Sequence, residues 1–203
     1  MARKYRMKRR AERQEETRRR IIEATVELHQ GGGEATISAI AELAGVQRPT
    51  VYRHFPDERS LLTACTGHYL ALNPPPDPVT WRDIADKEER LRVALSAVYA
   101  YYRWTEKMFV SAAVAMERSA TLREVLAPYF AYWEAVREML RAGWPREGEA
   151  GRRVRAAIGH ALGFETWRSL AGAQGLDDAE AVALMVGLVT AAATARTSGQ
   201  PAM

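Results

Sequence analysis

An all-α protein is predicted by three features of the 203-residue sequence. Apolar residues recur at helical spacing almost throughout. The alternating Val, Ile and Thr pattern of strands is missing. Glycine and proline clusters cut the periodic stretches into helix-sized lengths. The first helix is predicted at about Glu15–His29, with Ile21, Thr25 and Leu28 on one face and Ile22 and Val26 beside them. Gly31-Gly32-Gly33 ends it, because glycine accepts the left-handed conformation at a helix C-terminus. A short second helix opens at Thr36, whose hydroxyl suits an N-cap, and runs from Ile37 to Ala44. After Gly45 a third runs from Gln47 to about His54, with Pro49 in its first turn, where a missing N–H costs nothing. Pro56 stops it, and Asp57 caps a fourth helix to about Leu72.

The run Asn73-Pro74-Pro75-Pro76-Asp77-Pro78 is the densest breaker cluster and marks a loop. A boundary there divides the chain into residues 1–72 and 73–203. The second part reads as five long helices, at about Lys87–Trp104, Thr105–Glu117, Thr121–Ala142, Glu147–Ala171 and Asp177–Arg196. About nine helices are thus expected. The last has no charge between Glu180 and Arg196. A helix apolar nearly all round must be buried, in a core or against another subunit.

Charge is distributed unevenly. Residues 1–20 hold ten Lys or Arg against three Glu, and residues 71–203 hold sixteen of each sign. A basic end on a neutral body suggests nucleic acid or an anionic membrane, or else a solvated tail. No apolar segment follows the basic start, so a secretory signal is not expected. No uncharged apolar run reaches the roughly 20 residues of a membrane span; the longest is Ala181–Ala195. A cytoplasmic protein without a membrane partner is expected. Cys65 is the only cysteine, which excludes an intrachain disulfide. Cys65 and His68 share a helix, but no partner pair stands near them, and His29, His54 and His160 are isolated. No metalloprotease, P-loop or dinucleotide fingerprint occurs. Neither a metal, a cofactor nor an enzyme activity is expected.

The stretch Thr36–Leu62 carries the chemistry. Two short helices meet across Ala44-Gly45-Val46, the sequence form of a helix-turn-helix. Ala41 and Ala44 allow close crossing, and Ile40, Val46, Val51 and Phe55 supply an apolar wedge. The other face of the second helix carries Gln47, Arg48, Thr50, Tyr52 and Arg53, side chains suited to base edges and phosphates. The pattern Thr36-Ile37-x-x-Ile40-Ala41-x-x-Ala44-Gly45-Val46, followed by Thr50-Val51-Tyr52-x-His54-Phe55-Pro56, resembles the DNA-binding domain of TetR-type transcriptional regulators. The stretch from His160-Ala161-Leu162 through Trp167-Arg168-Ser169-Leu170 to Gly175-Leu176-Asp177-Asp178 is also similar to one branch of that family.

The resemblance implies a ligand-responsive regulator, most simply a repressor released from a palindromic operator by a small apolar or amphipathic effector. The alternative is a ligand-binding protein of the same fold that does not read an operator. Gln47, Arg48, Pro49 and Thr50 would sit where the recognition helix enters the major groove. Arg48 could hold a guanine and Gln47 an adenine. Arg53 lies on the same polar face. Thr36, Tyr52 and His54 look like phosphate contacts, with N-capping as the other role of Thr36 and packing that of Tyr52. Relatives often place a lysine where Glu58 stands, so Arg59 is expected to take over that phosphate. The arm Met1–Arg20 could enter the minor groove or attract phosphates in general. The resemblance further implies a homodimer through the helices at about 147–171 and 177–196. It also implies an effector pocket in the larger domain, for which Tyr102, Met108, Phe109, Met116, Tyr129, Trp133, His160, Phe164 and Trp167 are candidates.

Overall fold

The computed structural model describes residues 2–33 and 35–195. They form eleven α-helices, two more than the periodicity suggested, and among them no strand. The helices are α1 (Ala2–Gln30), α2 (Ile37–Leu43), α3 (Arg48–His54), α4 (Glu58–Leu72), α5 (Val79–Arg82), α6 (Lys87–Arg118), α7 (Ala120–Val125), α8 (Ala127–Leu140), α9 (Gly148–Ala161), α10 (Phe164–Arg168) and α11 (Asp178–Thr194). A π-helical turn, Ser169–Ala173, follows α10.

The differences from the sequence reading have local causes. Helix α1 begins at Ala2 rather than near Glu15, because Arg, Lys, Glu, Met and Ala are all good helix formers. The expected break at Thr105 is absent: no Gly or Pro lies between Lys87 and Arg118, and α6 runs through. The single helix expected over Thr121–Ala142 is two, parted at Leu126. Pro128 has no N–H to offer the Glu124 carbonyl, and its ring crowds the preceding turn. The helix expected over Glu147–Ala171 ends at Ala161, since Gly163 takes an extended conformation and starts α10 anew. Within the expected loop, Asp77 accepts a 2.9 Å bond from the Val79 N–H and supports the single turn α5. Met1 and Arg196, ends of two predicted segments, lie outside the described residues.

The chain forms two compact units. One comprises residues 1–74 and 105–128, the other 75–104 and 129–203. In the first, α1 packs on α2 and α4, α2 on α3, and α4 on α7. Its core is built from Ile21, Ile22, Ala24, Ile40, Ala41, Ala44, Val51, Phe55, Leu61 and Cys65. In the second, α9 and α11 pack side by side. Its buried residues include Trp81, Leu91, Leu95, Val98, Tyr99, Val136, Leu140, Val154, Ile158, Val182 and Val189. Polar groups tie that core together. Buried Tyr99 and Tyr102 donate through their hydroxyls to the Ala161 and Leu162 carbonyls, at 2.9 and 2.6 Å, closing the C-terminal end of α9. Arg90, also buried, donates to the Ile84 carbonyl at 2.6 Å and to that of Ala142. No helix among the described residues is long and apolar enough to cross a membrane.

Candidate nucleic-acid interface and aromatic cluster

The helix-turn-helix is built from α2, its turn and α3. Thr36 caps α2, its hydroxyl accepting from the Ala39 N–H at 3.2 Å. Thr36 remains exposed, so the hydroxyl can still meet a phosphate. The turn needs Gly45, whose φ of +61° is costly for any residue with a Cβ. A second constraint acts there. A Cβ on Gly45 would lie 2.8 Å from the Arg20 guanidinium. Arg20 reaches across from α1 and donates to the Ala44 carbonyl and, at 3.2 Å, to that of Gly45. It satisfies acceptors at the end of α2 and fixes the turn that aims α3. Sequence reasoning counted Arg20 only as arm charge; nothing local marks a contact across 24 positions.

Val51 and Phe55 anchor α3 in the core, and Arg18 lies 4.8 Å over the Phe55 ring. With these buried, Gln47, Arg48, Pro49, Tyr52 and Arg53 are turned to solvent, and Thr50 is half-buried. Gln47 occupies the N-cap position with no side-chain cap bond, so its amide remains available. Tyr52 is 50% exposed. His54 is half-buried, and its Nε2 is enclosed without a hydrogen-bond partner. Burial, then the charges of Arg53 and Arg18, lower its pKa, opposed by Glu15. A neutral imidazole follows, and an approaching phosphate would draw a proton onto it.

The start of α4 is used differently from the sequence expectation. Asp57 and Ser60 form a reciprocal capping box, with Asp57 accepting from the Ser60 N–H at 2.7 Å. Glu58 accepts a 2.8 Å bond from the Ser119 hydroxyl, which also caps α7. Arg59 pairs with Glu124 of α7. The structure therefore gives Glu58 and Arg59 intramolecular partners, and a phosphate would have to compete with Glu124 for Arg59.

The candidate pocket residues separate into two groups. Tyr102, Trp133, Phe164 and Trp167 meet in one aromatic cluster of the second unit, with Tyr129 joined through Trp133. Ring centroids lie 5.4 Å apart for Tyr102–Phe164 and 6.1 Å for Tyr129–Trp133, both edge-on. Burial raises the pKa of Tyr102 and Tyr129, so both stay neutral, and pushes Tyr132 up to about 12. At one end Trp167 donates to Asp178 at 3.0 Å, while Arg103 grips the same carboxylate at 2.6 and 3.0 Å and lies 5.6 Å over the Trp167 ring. These bonds, Arg103 foremost, hold the Asp178 pKa down against its partial burial. His160 is exposed, its Nδ1 3.2 Å from the Thr166 hydroxyl. Met108, Phe109 and Met116 are half-buried and belong to the first unit.

The helix-turn-helix geometry has counterparts among known proteins. Residues 21–65 match the profile of bacterial regulatory proteins of the tetR family. The N-terminal domain is a TetR-type helix-turn-helix domain. The chain is 44% identical over 68 residues to the HTH-type transcriptional regulator SrpR of Pseudomonas putida, a stretch covering 31% of this chain and 32% of that protein. The whole fold is similar to solved TetR-like structures. A TetR-like transcriptional regulator from Rhodococcus sp. RHA1 aligns with a TM-score of 0.58 at 18% identity, over 86% of this chain and 94% of that one. NalD of Pseudomonas aeruginosa, the secondary repressor of the MexAB-OprM multidrug efflux pump, aligns at 0.56 and 22% identity, over 89% and 97%. FadR of Bacillus subtilis, solved with stearoyl-CoA, aligns at 0.52 and 21% identity, over 86% and 97%. Identities this low speak for the fold alone.

Proposed function

We propose that the chain is a dimeric, ligand-responsive transcriptional regulator, acting as a repressor that a small apolar or amphipathic effector releases from a palindromic operator. One observation carries the reading: a TetR-type helix-turn-helix whose α3 buries Val51 and Phe55 and turns Gln47, Arg48, Tyr52 and Arg53 outward. Arg48 and Gln47, at its N-terminal end, read bases; Thr36, Tyr52, His54 and Arg53 hold the backbone.

The dimer reading is supported by α11. Its Ala181, Val182, Met185, Val186 and Val189 are buried within the subunit, yet Leu184 and Leu188 remain 50% and 42% exposed, with Ala183, Gly187 and Ala191 beside them. A charge-free face of this kind suits a second copy of itself. Two-fold pairing would set the recognition helices about 34–36 Å apart, one DNA turn. The effector reading draws on the aromatic cluster around Tyr102, Trp133, Phe164 and Trp167, and on the stearoyl-CoA bound to the FadR structure. An effector acts by favouring a different separation of the recognition helices from the one DNA favours.

Selection of sites from a random DNA pool, followed by Arg48→Ala, tests the proposal. The variant should lose discrimination at one base position per half-site, by about 1–3 kcal/mol. Weak, salt-driven binding that is the same before and after substitution would overturn it.

A further inference from the structure

Helix α1 runs as a regular helix for about five turns before its first buried residue, Ile21, and residues 5–16 are exposed on every side. Its charges are sorted by face. At 100° per residue, Arg6, Arg9, Arg10, Arg13 and Arg20 fall within an arc of about 100°. Glu12, Glu15 and Glu16 fall outside it. On that other side, Lys8 is matched by Glu12 and Arg19 by Glu23, each four residues on. Inside the arc, Arg6, Arg10 and Arg13 have no carboxylate partner among the described residues, and Arg9 lies over the Tyr5 ring. The arc also has a known direction. Arg20 within it grips the helix-turn-helix turn, and Ala24 and Leu28, further along the same arc, pack into the domain core.

We infer that Arg6, Arg10 and Arg13, with Arg9, form a phosphate-binding rail that lies along the DNA backbone beside the site read by α3. The inference rests on the DNA-binding reading above and settles how the arm would act there. A helix with side chains is about 10–12 Å across, and the minor groove is only about 6 Å wide. The helical arm therefore does not thread the minor groove. It adds sequence-independent affinity through counterion release, over the roughly 10 Å between Arg6 and Arg13. Continuity with the turn held by Arg20 directs the rail to the nucleic acid already engaged by α3, rather than to a membrane. The stripe also lacks the apolar face that interfacial helices bury.

The test compares full-length protein with the triple variant Arg6→Gln, Arg10→Gln, Arg13→Gln, and with Lys8→Gln, Arg19→Gln on the opposite side. Affinities for the selected operator and for a scrambled duplex are measured from 50 to 200 mM salt. Glutamine is a good helix former, and circular dichroism checks that helix content is kept. Three lost phosphate contacts reduce the slope of log K against log salt by about 2.7, a roughly 40-fold flattening over that range. Operator and scrambled duplex should lose affinity by the same factor. The opposite-face variant should move the slope by less than a third as much. An unchanged slope in the triple variant, or equal losses from the two variants, would overturn the rail in favour of a diffuse charge effect. A loss confined to A·T-rich flanks would overturn it by placing the arginines in the minor groove. Phosphatidylglycerol vesicle binding that the triple variant abolishes, with the DNA slope unchanged, would assign the stripe to membranes. If the unsubstituted protein prefers no operator, the proposed function fails first, whatever the slopes show.

Discussion

Gly45 and Arg20 concentrate the strictest residue-scale demands in the helix-turn-helix unit. The turn's φ of +61° disfavours any side chain, and the Arg20 guanidinium, 2.8 Å from the position of a Cβ, would also have to move aside. Gly45→Ala should therefore cost about 1–2 kcal/mol, read as a lower urea midpoint at unchanged m-value. Arg20→Gln loses charge-assisted bonds to two carbonyls and should cost roughly 1–2 kcal/mol, with operator affinity falling more than affinity for random DNA. Glu58 provides a test of opposite sign. Glu58→Lys forfeits the bond from Ser119 but, on the proposed DNA-binding reading, replaces a carboxylate that phosphates would repel by a cation. Binding to all duplexes should tighten, with the salt slope steeper by about 0.9, while operator preference stays the same. A slope unchanged by Glu58→Lys would place residue 58 away from the phosphates. Tyr52→Phe should weaken operator and random duplex by one factor if the hydroxyl holds a phosphate, and leave both unchanged if the ring only packs.

At the element scale, caps were legible and continuity was not. Thr36 and Asp57 are recognisable N-caps because their chemistry is local, and each accepts the expected backbone N–H; Asp177, expected as the first residue of the last helix, proves to be its N-cap. Asp177→Ala should destabilise α11 by about 1 kcal/mol, seen in thermal unfolding. The helix-turn-helix was legible because glycine at the turn, Pro49 in the first turn of α3 and Pro56 after it are short-range signals. The run-through of α6 past Thr105, the break at Leu126 and the restart at Gly163 were misread. At Thr105 no Gly or Pro interrupts the chain, and at Leu126 and Gly163 a single Pro or Gly breaks a strong apolar periodicity. The sorting of charge along α1 became visible only once the helix was known to extend to Ala2. The partners of Arg20, Glu58 and Arg59 lie 24, 61 and 65 positions away, beyond any periodicity argument.

For the whole molecule, charge, pH and assembly follow from the same groups. Asp178 has its pKa held below the ordinary 3.8, mainly by Arg103. A depressed folded-state pKa gives stability that is present above the ordinary value and lost as pH falls through the lower one. Acid unfolding below about pH 4 should therefore shift in Arg103→Gln, monitored by tryptophan fluorescence of Trp167. Tyr102 and Tyr129 have their pKa raised by burial, so stability present below the ordinary value of 10 is lost as pH rises beyond it. Tyrosinate absorbance of these residues should appear only together with unfolding. The exposed face of α11 predicts that Leu184→Glu, Leu188→Glu gives a monomer by sedimentation and loses cooperative binding to a two-half-site operator. The central claim is that the TetR-type domain reads sequence. Its most direct measurement is the affinity ratio of the full-length protein for its selected operator over a scrambled duplex of the same length, across a salt series. The account predicts a ratio of about 10³ or more, persisting as both affinities fall with salt. A ratio near one at every salt concentration would contradict it.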